Sequence, residues 1–361
     1  MKTYGHLFES ICSFQNLLAA AARARKGKRL RPDVAAFHYE LEPNLLRLRE
    51  ELLEGRYRPG AYRAFHIRDP KPRLISAAPY RDRVVHHALC RVIEPLFERS
   101  FIHDCYANRR GKGTHRALDR CTAYARRYRY VLKCDIQKYF PGIDHQILKG
   151  ILARRIRCPR TMALLGVILD SSNPQELALC YFPGDGLFTP HERRRGLPIG
   201  NLTSQLFGNV YMDGFDHWMK EVEGCRAYIR FVDDFLVFGD DKAALAALLP
   251  RIQRRLDGLR LRLHPKKCQV APVARGVEFL GWQVFPGRRG LRRATGVRMQ
   301  RRLRELAESY GDGRVSLERV RASVMSCIGH LKHGDTAGLR RAMFGPVAFA
   351  ARGEGDAVGH I

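Results

Sequence analysis

Residues Tyr228 to Phe238 read "YIRFVDDFLVF", two apolar runs with a pair of acids, Asp233 and Asp234, between them. Apolar alternation at a period of two is the pattern of half-buried strands, and the acids fall where a tight hairpin turn would join them. Adjacent acids are ordinary turn residues, so this stretch alone leaves a structural turn and a chemical site equally open. A second strand candidate, "YRYVLKCDI", ends beside another carboxylate, Asp135. Strands of one small sheet would bring that carboxylate beside the hairpin tip.

The setting of these acids is unusual. The chain has 361 residues and carries 64 Lys and Arg against 36 Asp and Glu, a formal net charge of +28. With 45% hydrophobic residues it can bury a full core, so the excess charge belongs to folded surfaces rather than to a disordered tail. A field of that size attracts polyanions and points to nucleic acid as partner. Carboxylates clustered on so basic a chain are costly unless they hold cations, and hard oxygen ligands with substrate phosphates to complete the shell suit Mg²⁺.

Other classes fit less well. No stretch approaches the 18 apolar residues of a membrane span, and no basic helix has a continuous apolar face, which argues against a membrane partner. The opening "MKTYGHLFESICSFQNLL" contains Glu9 and lacks the apolar run of a secretory signal. Ten cysteines are scattered with no CxxC pair, the pattern of reduced, mostly buried thiols in a cytoplasmic protein. Two motifs are decoys: the "GDD" at Gly239 to Asp241 precedes a helical run and reads as a helix N-cap, and "RRGKGTHRAL" lacks the Walker spacing and reads as a glycine turn opening a helix.

The order of elements indicates an α+β fold, with helices packed on a small antiparallel sheet. Helical spacing marks the first sixty residues, and "YRAFHIRDPKPRLIS" at 62–76 reads as a hairpin with a basic tip. Helices are expected from Ser204 to Lys220 and from Lys242 to Leu259. Beyond Gly287 the composition becomes basic and helical, with a stripe of Leu317, Val320, Val324, Ile328 and Leu331.

Taken together, a strand-end Asp, a Gly-rich loop opening a helix and an aromatic-x-Asp-Asp hairpin resemble the reverse transcriptase palm. The resemblance runs from about residue 14 to residue 345. "KPRLISAAPYRDRVVHHAL" looks like the fingers segment, "LKCDIQKYFPGIDH" like the first catalytic motif and "RFVDDF" like the second, with Phe231 where Tyr is more usual. "LHPKKCQV" resembles the lysine motif and "VEFLGW" the primer grip. The loop "LPIGNLTSQ" at 197–205 sharpens the match. Most reverse transcriptases carry Gln where this chain has Ile199, and Ser-Pro where it has Ser204 and Gln205. An aliphatic residue, Gly, three variable residues and Ser-Gln look like the reverse transcriptases of diversity-generating retroelements, as do "FPGIDH", "GKGTHRAL" and "GHLKHGDT". No maturase or endonuclease module is expected after the helical stretch, which weakens a group II intron reading. Reverse transcriptases of phage-defence systems or retrons are the alternative, and a non-catalytic RNA scaffold is a remote one.

The resemblance implies a right hand: an N-terminal helical extension at 1–60, fingers at 61–130, palm at 131–286, thumb at 287–345 and a tail at 346–361. It implies an RNA-directed DNA polymerase in which Asp135, Asp233 and Asp234 hold two Mg²⁺ ions about 4 Å apart. Arg73, with Lys71 or Arg68, would grip the incoming triphosphate, and Ile199, Gly200 and Gln205 would lie at the nascent base pair. Phe140 matches the gate that excludes a ribose 2′-hydroxyl, or is a core aromatic. Lys267 matches the general acid toward pyrophosphate, with Lys266 beside it as the other choice. Gly281 and Trp282 would support the primer end, Trp282 equally being a buried core residue. The implied partners are template RNA, primer and cDNA, dNTPs and a small basic accessory protein, in the cytoplasm of a bacterium or from a phage, with copying that errs at template adenines.

Overall fold

The Tyr228 to Phe238 stretch forms the expected hairpin. In a computed structural model, which describes residues 2–68, 72–172, 180–345 and 349, strand β4 (Tyr228–Phe231) and strand β5 (Asp234–Gly239) are joined by Val232 and Asp233. They belong to a four-stranded sheet in the order β4-β5-β3-β6, with β3 at Tyr130–Asp135 and β6 at Gln269–Pro272. The chain divides into two compact units, one made of Met1–Gly111, Lys133–Leu236 and Ala247–Gln269, the other of Lys112–Leu132, Val237–Ala246 and Val270–Ile361.

In the first unit the N-terminal sequence forms the helices Phe8–Cys12, Phe14–Arg25, Pro32–Tyr39 and Leu41–Leu53. Ser13 caps the second by accepting a hydrogen bond from the Asn16 N–H. Leu17, Ala20, Ala21 and Ala24 recur at helical spacing and are buried against the Tyr80–Glu98 helix. Strands β1 (Arg63–Ile67) and β2 (Arg73–Ala77) pair antiparallel, Ile67 opposite Arg73. Their basic tip, with Lys71, lies outside the described residues. The Leu202–His217 helix is almost entirely buried, as the scarcity of charge in its sequence requires, and ends in a π-helical turn at Trp218–Val222.

In the second unit β7 (Val277–Phe279), β8 (Trp282–Val284) and β9 (Arg289–Leu291) form an antiparallel sheet. The helices Arg293–Gly311, Leu317–Leu331 and Ala337–Phe344 follow, around a core of Leu303, Val320, Val324, Leu331 and Met343. Leu317 departs from the expected stripe: it is the first residue of its helix and 56% exposed, while Ile328 packs at the edge of the core. Apart from Phe349, the tail expected at 346–361 lies outside the described residues.

Both decoys resolve as structural features. Asp241 accepts hydrogen bonds from the N–H groups of Ala243 and Ala244 at the start of the Lys242–Asp257 helix. Gly113 opens the Thr114–Arg127 helix. All ten cysteines are free, six buried and four half-buried. Among the described residues no helix is long and apolar enough to cross a membrane.

Candidate active site

The first unit holds the three carboxylates. Asp135 ends β3, Asp233 lies in the β4–β5 turn with Val232, and Asp234 begins β5 rather than sharing the turn as expected; the Asp233 carbonyl accepts the Ile136 N–H at 3.1 Å. The turn requires a left-handed residue, and Val232 supplies it at φ 59°, a conformation that a β-branched side chain disfavours. Something must hold it, and Arg230 does. Its guanidinium is fully buried, donates from Nε and Nη2 to both oxygens of Asp216 at 2.7 Å, and from Nη1 to the Val232 carbonyl at 2.9 Å. The Tyr228 hydroxyl adds a third hydrogen bond to Asp216 at 2.7 Å. A buried ion pair thus fastens the strained turn from beneath. Sequence reasoning missed it, although an Arg in the middle of the apolar run "YIRF" is the signal that would have found it.

Burial, then the nearby charges of Asp234 and Asp135, push the Asp233 carboxyl up to about 6, with Arg73 opposing. Arg73 is therefore close enough to act on this carboxylate from the start of β2. Lys267 Nζ donates to Asp135 Oδ1 at 2.8 Å, whereas Lys266 is exposed and engages only its backbone N–H, to His264. Of the two lysines, Lys267 is the one at the carboxylates. Arg68 is exposed just past β1, one residue beyond the partner of Arg73.

The uncharged loop runs between the gate-position aromatic and the β1–β2 hairpin. Leu197 N–H donates to the Phe140 carbonyl at 2.9 Å, and the Ile199 carbonyl accepts the Ser76 N–H at 3.0 Å. Gly200 sits at φ 115°, where a Cβ would also come within 3.2 Å of Ile75. Ser204 Oγ closes the loop onto the Pro198 carbonyl at 2.7 Å. Ile199 is half-buried, and Gln205 is exposed on the first turn of the following helix. Phe140 is half-buried with its ring against Gly208, where a Cβ would meet it at 3.3 Å.

The second unit holds the residues assigned to the primer end. Leu280 and Gly281 form a two-residue turn with φ of 50° and 85°, the hairpin geometry that matches strand twist. Trp282 is fully buried, and a Cβ at Gly334 would collide with its ring at 2.2 Å. Of the two readings of Trp282, burial in the core is what the structure displays.

Among the described residues no group of three or more His, Cys, Asp and Glu side chains is gathered as a metal cluster. The donor chemistry nevertheless fits a hard divalent ion: three carboxylates, one of them raised by burial and then by its neighbours' charge, are a set that a cation would stabilise.

Residues 67–284 match the family described as Reverse transcriptase (RNA-dependent DNA polymerase). The chain is 27% identical to Protein YkfC of Escherichia coli K12 over 66% of its length and 70% of that protein. It is 22% identical to the group II intron-encoded protein LtrA of Lactococcus lactis over 58% of its length, but only 33% of LtrA. It is 24% identical to the mitochondrial Nuclear intron maturase 2 of Arabidopsis thaliana over 49% of its length and 30% of that protein. Among solved structures, an apo telomerase from Candida tropicalis aligns with a TM-score of 0.49 and 11% identity, over 79% of this chain and 60% of that one. The family match takes in the β1–β2 hairpin from Ile67, all three carboxylates, the loop and Lys267, and the chain belongs to the reverse transcriptase family, the RNA-directed DNA polymerases.

Proposed function

We propose that this reverse transcriptase makes error-prone cDNA from the template RNA of a diversity-generating retroelement. The observation that carries this reading is the loop at 197–205. Its backbone is pinned to Ser76 on one side and Phe140 on the other, and it offers the apolar Ile199 where most of the family has Gln. A Gln could hydrogen-bond the incoming nucleotide and hold the base pair in register, whereas Ile supplies only apolar contact. The reading carries with it a small basic accessory protein, and a cytoplasmic protein of a bacterium or phage.

In this mechanism Asp135, Asp233 and Asp234 would hold two Mg²⁺ ions, which when bound would supply Lewis-acid activation of the primer hydroxyl and charge neutralisation at the triphosphate. The chain's own residues supply position and charge. Arg73, whose charge acts on Asp233, supplies the cation that a triphosphate needs, with Arg68 just past β1 and Lys71 as further candidates. Lys267 keeps an N–H donor at the edge of the carboxylates, where leaving pyrophosphate takes a proton. The Phe140 ring, set by Gly208, bars a ribose 2′-hydroxyl. Gly281 supports the primer end through its turn.

A second reading, an intron-type reverse transcriptase, is favoured by the similarity to LtrA and the intron maturase. A reverse transcriptase of a retron or a phage-defence system is a further alternative. The error spectrum separates these readings, because only the retroelement enzyme concentrates errors at template adenine. For catalysis itself, Asp233→Ala abolishes extension of a primer on RNA while RNA binding persists. Extension by that variant near the wild-type rate in Mg²⁺ would overturn the polymerase mechanism.

A further inference from the structure

The first unit contains a second cationic feature that the mechanism above leaves unused. A cavity of about 110 Å³ is lined by Lys138, Arg193, Arg195, Arg260 and Arg262, with Phe182 in its wall. These cations come from three separate segments: the turn just beyond Asp135, the stretch before the 197–205 loop, and the chain after the Lys242–Asp257 helix. Arg193 and Arg260 are fixed by ion pairs, Arg195 is half-buried, and Lys138 and Arg262 are exposed at the rim. The Arg193 side chain is 5% exposed, pairs through Nη2 with Asp185 and has its Nε 3.5 Å from Asp144. Arg260 Nη1 donates to the buried Asp144 at 2.7 Å. The Phe182 ring takes the guanidinium of Arg193 at 5.6 Å and that of Arg262 at 5.2 Å, and Arg262 Nη2 also donates to the Tyr181 carbonyl at 2.6 Å.

The ion pairs among the described residues leave two of the guanidinium groups here without a carboxylate. Asp144 and Asp185 serve Arg193 and Arg260, and among the described residues no carboxylate lies within ion-pair distance of Arg195 or Arg262. Burial and the adjacent Arg193 both work against the Arg195 cation, an opposition that an anion in the cavity would relieve. Guanidinium forks match phosphate oxygens in geometry as well as charge. The volume has room for several waters, which suits a group the size of a phosphate or diphosphate.

We propose that this cavity is a phosphate-binding site, which takes either a backbone phosphate of a bound nucleic-acid strand or a free pyrophosphate group. It does not depend on the error-prone reading, because binding alone tests it.

The test uses the full chain and the double variant Arg195→Ala/Arg262→Ala. The control, Arg47→Ala/Arg49→Ala, removes the same charge from exposed positions on the Leu41–Leu53 helix. Inorganic pyrophosphate is titrated by calorimetry, and binding of an RNA–DNA duplex is followed across salt concentrations. If a strand phosphate occupies the site, the slope of log Kd against log salt falls by about 1 to 2 in the double variant and not in the control. If the ligand is free pyrophosphate, it binds the wild-type chain saturably and the double variant at least tenfold more weakly, with the duplex slope unchanged. Arg195→Lys, which keeps the charge but loses the fork, falls between wild type and the double variant in whichever assay responds. The proposal is overturned if the double variant matches the wild type in both assays, or if the control loses as much as the double variant.

Discussion

At the scale of single residues, Asp233 carries the most testable charge. Its carboxyl is raised to about 6 by burial and by Asp234 and Asp135. Between the ordinary Asp value and that point the folded chain binds the proton more tightly than the unfolded chain does. Asp233 therefore costs the fold stability as pH rises from about 4 to about 6, and that cost persists above. Replacing it with Asn removes the cost, so in metal-free buffer Asp233→Asn should be more stable than wild type at pH 8 by on the order of 2 kcal/mol, and nearly equal to it at pH 4. Urea unfolding at the two pH values checks this, and an equal offset at both would contradict it. The choice between Lys266 and Lys267 also belongs to this scale. Two adjacent lysines look alike in a sequence, and only the chain path from His264, whose N–H binds the Asp135 carbonyl at 2.7 Å, aims Lys267 at Asp135.

At the scale of elements, the β4–β5 hairpin is held by a buried pair that contributes shape more than stability. Arg230→Met strands a buried Asp216 and should cost about 3 to 5 kcal/mol. The apolar triple variant Arg230→Met/Asp216→Leu/Tyr228→Phe removes the ion pair together with the Tyr228 hydroxyl and should recover most of that loss. Its polymerase rate should nevertheless stay at least tenfold down, because the Val232 carbonyl loses its donor and the left-handed turn its anchor. A folded triple variant with wild-type kcat would show that the turn holds itself. The hairpin, its strands and the capping role of Asp241 were legible in the sequence, since alternation and the helical run after Asp241 are local signals. The Arg230–Asp216 pair was not, because it joins β4 to a helix 14 residues earlier in the chain through tertiary packing. Trp282 was undecided for the same reason: its burial depends on Gly334, which is remote in sequence. Leu317 kept the stripe's spacing but lies at a helix start, where spacing alone does not ensure burial.

At the scale of the whole molecule, if the net charge of +28 governs binding and the carboxylates govern chemistry, the two are separable. Affinity for an RNA–DNA duplex should fall at least about a hundredfold between 50 and 200 mM salt, through release of counterions. Asp233→Ala should follow the same salt dependence, and a flat curve in a filter-binding assay would contradict the electrostatic account. The family match and the local motifs agree on the polymerase, but the kind of product rests on one loop. The direct test is to sequence cDNA made by the full chain on a defined RNA template, for wild type and for Ile199→Gln. The account predicts that wild-type errors concentrate opposite template adenine, and that Ile199→Gln reduces them severalfold more than it reduces total synthesis. Errors spread evenly over the four template bases, or an adenine excess unchanged in the variant, would contradict it.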